Sequence, residues 1–210
     1  MRQFIGMGSG RCGTRSLAKL IGRCKNTYVT HEAFQSAWYK TEAPIGQLIL
    51  GMKRGVHPCW PDARPGGLVG EVSCGLISHY RALREPIPDL KIVCMHRHKD
   101  EVVESFLRKT SRHSLRPCDR PQFKSAMLSR GLPDTPERLP IIDAATKEQS
   151  WGFYWEMCEE VMSKVKPPVK HVWMKSLNDD FTLKSIFEFL DIPIEDRVVS
   201  QRRVWNSSKE

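Results

Sequence analysis

Apolar positions along the chain follow two different spacings. Continuous apolar runs such as residues 4–7 and 91–96 are typical of strands that are buried on both faces. Elsewhere apolar residues recur every three or four positions, which is typical of a helix with one packed face. The longest such stripe, which we interpret as core, comprises Trp151, Trp155, Cys158, Met162 and Val165. Strands that alternate with helices predict an α/β fold with three layers, in which helices flank a central parallel sheet.

The same pattern predicts the order of the elements. We expect strands at residues 4–7, 28–29, 68–72, 91–96 and 171–174. We expect helices from about residue 14 and at 45–52, 76–83, 100–109, 144–165 and 181–190. The 210 residues suit one domain over 1–210. Prolines and basic residues replace the periodicity at about 111–143, so we expect an irregular basic loop or lid there.

The first strand runs directly into a glycine-rich segment, residues 8–16, after which a helical pattern starts. A strand, a glycine-rich turn and a helix start form a phosphate cradle, because unpaired amides and the helix dipole converge on one anion. Gly8 and Gly13 have the Walker A spacing, but Thr14 and Arg15 stand where a nucleotide triphosphatase has Lys and Ser/Thr. The segment therefore predicts an anion site and disfavours ATP–Mg²⁺ chemistry.

Two motifs together resemble one known family. Arg11 precedes Cys12, Gly13 and Thr14, an arrangement similar to the 5′-phosphosulfate-binding loop of sulfotransferases. Arg97 follows the strand at 91–96, and Ser105 stands eight positions later, as in the 3′-phosphate grip of that family. The chain thus resembles the sulfotransferases that use 3′-phosphoadenosine 5′-phosphosulfate (PAPS), in the P-loop sulfotransferase superfamily. The likeness is strong at these two motifs and loose elsewhere.

Helical geometry supports the second motif independently. On a helix that starts near Lys99, the apolar residues Val102, Val103 and Phe106 face inward, which leaves Ser105 free to face the turn that carries Arg97. An arginine offers a planar fork of donors to a phosphate, and a serine offers a neutral donor.

The resemblance implies an activity and a set of site residues. It implies transfer of a sulfuryl group from PAPS to a hydroxyl or amine, in line and without a metal ion, leaving 3′-phosphoadenosine 5′-phosphate (PAP). It also implies that Arg11 meets the oxygen between sulfur and the 5′-phosphate and so takes part in catalysis. The implied nucleotide-binding residues are Arg11, Cys12, Gly13, Thr14, Arg15, Ser16, Arg97 and Ser105.

The proton of the acceptor needs a base, and two neighbouring residues after the second strand are candidates. In an extended chain, His31 and Glu32 point to opposite faces, so only one of them enters the site. An ordinary histidine matches neutral pH better, whereas the family resemblance favours Glu32, which we take as the base. Glu71, at the end of the third strand, is the reserve.

A formal net charge of +9 calls for an anionic partner. No nucleic-acid-binding motif is present, so we assign the charge to the nucleotide donor and to an acceptor that is itself anionic. Arg202 and Arg203 are further candidates for contact with the 3′-phosphate.

The cysteine pattern and the apolar runs of the sequence predict an intracellular protein. Seven scattered cysteines indicate neither a disulfide framework nor a metal site. Amides and Arg11 around Cys12 could lower its pKa, but we favour the interpretation that Cys12 is a small residue that the turn tolerates. Without a leader-like start or a membrane-length apolar run, we expect a cytoplasmic protein with no membrane partner.

Two alternatives stay open at this point. A small-molecule kinase would share the cradle, but it should carry Gly-Lys-Ser/Thr and a strand-terminal Asp. A non-catalytic nucleotide-binding or RNA-binding module would share the charge without needing Glu32. The sequence does not specify the acceptor or the oligomeric state.

Overall fold

A computed structural model describes residues 1–33, 43–54, 65–111 and 147–197 of the chain. Its strands are β1 (Arg2–Gly8), β2 (Thr27–His31), β3 (Leu68–Val72), β4 (Lys91–His96) and β5 (Val169–Trp173). Its α-helices are α1 (Thr14–Ile21), α2 (Ala43–Arg54), α3 (Tyr80–Arg84), α4 (Lys99–Ser111), α5 (Lys147–Ser163) and α6 (Asp180–Phe189). Short 3₁₀ turns cover Cys74–Ser78, Met174–Asn178 and Ile194–Asp196.

The strands form one sheet in the order β2-β3-β1-β4-β5. Each neighbouring pair is parallel, with Ile5 of β1 level with Glu71 on one side and Ile92 on the other. The central strands β1, β3 and β4 are buried except at the first residues of β1 and β4, because helices cover both faces of the sheet, which is why their sequences are mostly apolar. The predicted α/β fold with a central parallel sheet is confirmed.

Two apolar cores lie on opposite faces of this sheet. On one face, Leu17 and Ile21 of α1 pack with Ile186 and Phe187 of α6. On the other face, α2, α3, α4 and α5 pack together around residues such as Phe106 and Trp151, whose rings stack with centroids 3.8 Å apart. The stripe predicted on α5 is largely core, since Trp151, Cys158, Met162 and Val165 are buried.

This arrangement opens a crevice at the carboxyl end of the sheet. After β1 the chain enters α1 on one face, whereas after the adjacent strand β4 it enters α4 on the other face. The segments that leave the two strands therefore diverge, as they do where parallel α/β sheets bind ligands. The segment after β1 carries the glycine-rich loop, and the segment after β4 carries Arg97.

The structure does not contain the continuous helix that the sequence predicts at 76–83. The helix expected at 76–83 is a 3₁₀ turn followed by the short helix α3. Ser73 caps the turn by accepting a hydrogen bond from the amide of Gly75, and the backbone of His79, at φ −120°, interrupts the helix. Among the described helices, none combines the length and apolar character needed to cross a membrane.

Candidate functional site

The loop between β1 and α1 depends on three residues with left-handed backbone conformations. Gly10, Arg11 and Gly13 have φ values of 77°, 57° and 92°. Gly13 also lies against Met174, and a Cβ atom there would be only 2.7 Å from the Met174 Cγ. The loop therefore requires glycine at position 13 for both conformation and space.

The amino end of α1 faces this loop and lacks a side-chain cap. The helix begins when the amide of Leu17 donates to the carbonyl of Gly13, at 3.0 Å. Gly13 provides no side-chain cap, and no acidic residue lies in the first turn. The buried hydroxyl of Ser16 has no hydrogen-bond partner within the described part of the chain. A helix start without a side-chain cap, with its positive dipole end, favours an anion here.

Arg11, Ser105 and Arg97 meet in one hydrogen-bonded group. The Nε of Arg11 donates to the Oγ of Ser105 at 2.9 Å, and an Nη of Arg97 donates to the carbonyl of Arg11 at 2.9 Å. Arg97 and Ser105 lie 86 and 94 residues after Arg11 in the sequence, so the two predicted motifs are in direct contact in the fold. Ser105 is buried and faces the glycine-rich loop from α4.

Glu101 orients Arg97, and sequence reasoning missed it. Its carboxylate accepts from the Nε of Arg97 at 2.9 Å and pairs with the Nζ of Lys175 at 3.0 Å. Hydrogen bonds from Arg97 and Lys175 hold the pKa of Glu101 below its usual range. The i, i+4 spacing of Arg97 and Glu101 was the available signal. The indole of Trp155 also donates to the carbonyl of Arg97, at 2.9 Å, which fixes the end of β4.

Several charges converge around Arg11. Partial burial lowers the pKa of Arg11, the nearby cations Arg97 and Arg108 lower it further, and Glu32 raises it. Three guanidinium groups therefore share this end of the sheet with the carboxylates of Glu32 and Glu101. Like charges held close together are stabilised when an anion binds between them.

His31 and Glu32 diverge where β2 ends. The Nε2 of His31 lies 3.3 Å from the Oγ1 of Thr14, on the α1 side of the sheet. Burial lowers the pKa of His31, an effect that Glu32 opposes and Arg15 reinforces, so the imidazole is neutral at neutral pH. The carboxylate of Glu32 instead accepts from the thiol of Cys74, at 3.7 Å.

Glu71 does not open into the crevice. Its side chain is fully buried, and its carboxylate accepts hydrogen bonds from the hydroxyl of Thr30 and from the amide of Ala33, the latter at 3.1 Å. Burial raises the pKa of Glu71 to about 7. Because the Glu71 carboxylate is enclosed by other protein groups, an acceptor cannot reach it, which argues against Glu71 as the reserve base.

Of the two interpretations of Cys12, the structure supports the small residue that the turn tolerates and contradicts the activated thiol. Its side chain is fully buried in the core that also contains Leu17 and Val93. Burial raises the pKa of Cys12 to about 12, because a thiolate there would lose its hydration. The loop uses Cys12 as a small apolar residue. The described cysteines form no disulfide with one another and are all buried; they are Cys12, Cys24, Cys74, Cys94 and Cys158.

Some predictions concern residues outside the described ranges. These include most of the basic lid at 111–143 and the candidates Arg202 and Arg203. Within the described ranges, no cluster of three or more His, Cys, Asp or Glu side chains is arranged to hold a metal ion.

No protein-family model matches this sequence, and a search of curated proteins finds no match either.

Proposed function

We propose that this protein is a sulfotransferase that moves a sulfuryl group from PAPS to a hydroxyl or amine acceptor. The observation that carries the proposal is the contact of Arg11 with both Ser105 and Arg97. An uncapped helix start and a separate arginine–serine pair suit a ligand with two phosphate groups, one at each end of a short rigid link. A nucleotide with phosphates on its 3′ and 5′ oxygens has that form.

The 5′-phosphate fits the start of α1. The amides of residues 12–16 and the hydroxyls of Thr14 and Ser16 are its donors, and the unpartnered Ser16 hydroxyl is available for it. The imidazole of His31 lies against Thr14, so its role in this proposal is to orient that hydroxyl.

The 3′-phosphate fits the pair formed by Arg97 and Ser105. Because the Ser105 oxygen accepts from Arg11, its own hydrogen is left to donate to a phosphate oxygen. Glu101 occupies the Nε of Arg97, which directs the far end of the guanidinium towards the ligand.

Glu32 and Arg11 serve the chemical step. As the acceptor oxygen bonds to sulfur, its proton passes to the carboxylate of Glu32, and the bond from sulfur to the 5′-phosphate oxygen breaks. The electron pair of that bond leaves with PAP. Arg11 stabilises the negative charge that builds on the departing oxygen. A carboxylate and a guanidinium on opposite sides of the sulfur suit a loose, in-line transition state.

Calorimetric titration with three ligands tests the proposal. We expect PAP to bind, while ATP–Mg²⁺ and a short RNA bind at least about tenfold more weakly, because neither matches the spacing of the two phosphate sites. Arg97→Ala should weaken PAP binding by about tenfold or more. Arg23→Ala, an exposed arginine beyond the other end of α1, is the matched control and should not.

Turnover separates an enzyme from a binding module. Incubation with PAPS and pooled alcohols, amines and anionic sugars should release PAP with an acceptor-dependent rate. Tight ATP–Mg²⁺ binding would favour a kinase. PAP binding without release of PAP from PAPS would favour a non-catalytic protein.

A further inference from the structure

Glu32 has a backbone conformation that depends on outside support. Its φ of 56° lies in the left-handed region, which is unfavourable for a residue that carries a side chain. Such conformations persist where surrounding contacts enforce them, and they concentrate at functional sites. One support is the hydrogen bond from the Glu32 amide to the carbonyl of Val72, at 3.1 Å.

Glu71 supplies the other supports. Its carboxylate accepts from the hydroxyl of Thr30, two residues before Glu32, and from the amide of Ala33, one residue after it, at 3.1 Å. Thr30 and Glu71 are direct partners in the β2–β3 ladder, so the carboxylate stands beside the point where β2 ends. A single side chain thus holds the backbone on both sides of Glu32.

The surroundings of Glu71 argue against an ordinary ion pair. The charged group that acts on it among the described residues is Glu32, which has the same sign. A buried carboxyl group with no cation partner is costly and is retained where its hydrogen bonds matter. Both protonation states can make these bonds, because a protonated Glu71 accepts from the Ala33 amide and donates to the Thr30 oxygen.

We propose that Glu71 is a positioning residue that fixes the 30–33 turn and thereby aims the carboxylate of Glu32 at the acceptor. This inference rests on the proposed function for the role of Glu32. The backbone restraint itself is independent of that function.

Three variants separate positioning from charge. Glu71→Gln removes the charge but keeps an oxygen for the Ala33 amide and a donor for Thr30. Glu71→Leu has a similar size and removes both hydrogen bonds. Thr30→Val removes one of them and serves if the leucine variant does not fold.

Amide hydrogen exchange tests the restraint without any substrate. We expect exchange at Ala33 to be about tenfold faster or more in Glu71→Leu, and unchanged within about threefold in Glu71→Gln. In Thr30→Val the increase should be smaller. Unchanged exchange at Ala33 in Glu71→Leu, or in Thr30→Val if the leucine variant does not fold, would overturn the inference.

PAPS turnover tests the consequence for Glu32. The kcat should fall by about tenfold or more in Glu71→Leu, while PAP affinity stays within about threefold and Glu71→Gln retains most of the rate. A glutamine variant as inactive as the leucine variant would make Glu71 a proton acceptor and would refute positioning. If the wild-type protein neither binds PAP nor turns over PAPS, the proposed function fails, and exchange at Ala33 still decides whether Glu71 restrains the turn.

Discussion

Arg11 makes two contacts with the segment that follows β4, one through its backbone and one through its side chain. With φ at 57°, its carbonyl meets Arg97 while its side chain reaches Ser105 on α4. The residue therefore joins the loop after β1 to the segment after β4. Its guanidinium lies near the cations Arg97 and Arg108, so the three positive charges act together on a bound anion.

Replacing Arg11 by alanine should affect the chemical step more than binding. We expect Arg11→Ala to lower kcat by about 10²–10³-fold, because the charge on the leaving oxygen would lose its main counter-charge. PAP affinity should fall by about tenfold at most, since Arg97 and the amides of α1 remain. Stopped-flow turnover and calorimetry measure the two quantities separately.

The exposed Arg23 provides the control for this experiment, and Arg23→Ala should match the wild type in both quantities. A large loss of PAP affinity in Arg11→Ala with an unchanged kcat would contradict the catalytic role and leave Arg11 as a binding residue.

At the scale of the elements, burial decided which parts of the fold could be predicted. The bounds of β4 agree with the sequence pattern, because helices cover both of its faces. The pattern gave only residues 28–29 for β2, whose residues are all half-buried at the edge of the sheet. At the site, the sequence spacing paired Arg97 with Ser105, and in the structure both residues contact Arg11. The contacts of Glu71 with the β2 end escaped prediction, because they join strands that are distant in sequence.

Substitution of Gly13 tests the turn that starts α1, and substitution of Gly46 in the same protein is the control. We expect Gly13→Ala to lower the free energy of unfolding by about 1–3 kcal/mol, because alanine disfavours a φ of 92° and its Cβ would clash with Met174. The shift of Met174 should also displace the helix start and weaken PAP binding. Chemical denaturation and calorimetry provide the measurements.

Gly46, unlike Gly13, has room for a side chain and no left-handed backbone conformation. It lies exposed within α2, and a Cβ atom there would contact nothing within 4 Å. Gly46→Ala should therefore stabilise the protein by about 0.5–1 kcal/mol and leave PAP affinity unchanged. Equal effects of the two substitutions would contradict the special geometry of the loop.

At the scale of the whole molecule, titratable groups with shifted pKa values have opposite effects on how stability varies with pH. Burial raises the pKa of Glu71 to about 7 and lowers the pKa of both His31 and His171. As pH rises through the acidic range, Glu71 therefore lowers the stability of the fold and the two histidines raise it. The net slope for the wild-type protein mixes these contributions, so a variant is needed to isolate the carboxyl group.

Glu71→Gln isolates this carboxyl group, because the amide keeps both hydrogen bonds and does not titrate. Between the pKa of an ordinary glutamate and about 7, the folded wild-type chain holds a proton at Glu71 that the unfolded chain has lost. Its free energy of unfolding must therefore fall relative to that of the variant as pH rises from about 5, and the difference must level off above about pH 7. Urea denaturation of both proteins across this range measures the difference directly. A difference that does not vary with pH would mean that Glu71 is ionised throughout, as it would be beside a cation. The buried environment without a cation partner, as found among the described residues, would then be incorrect.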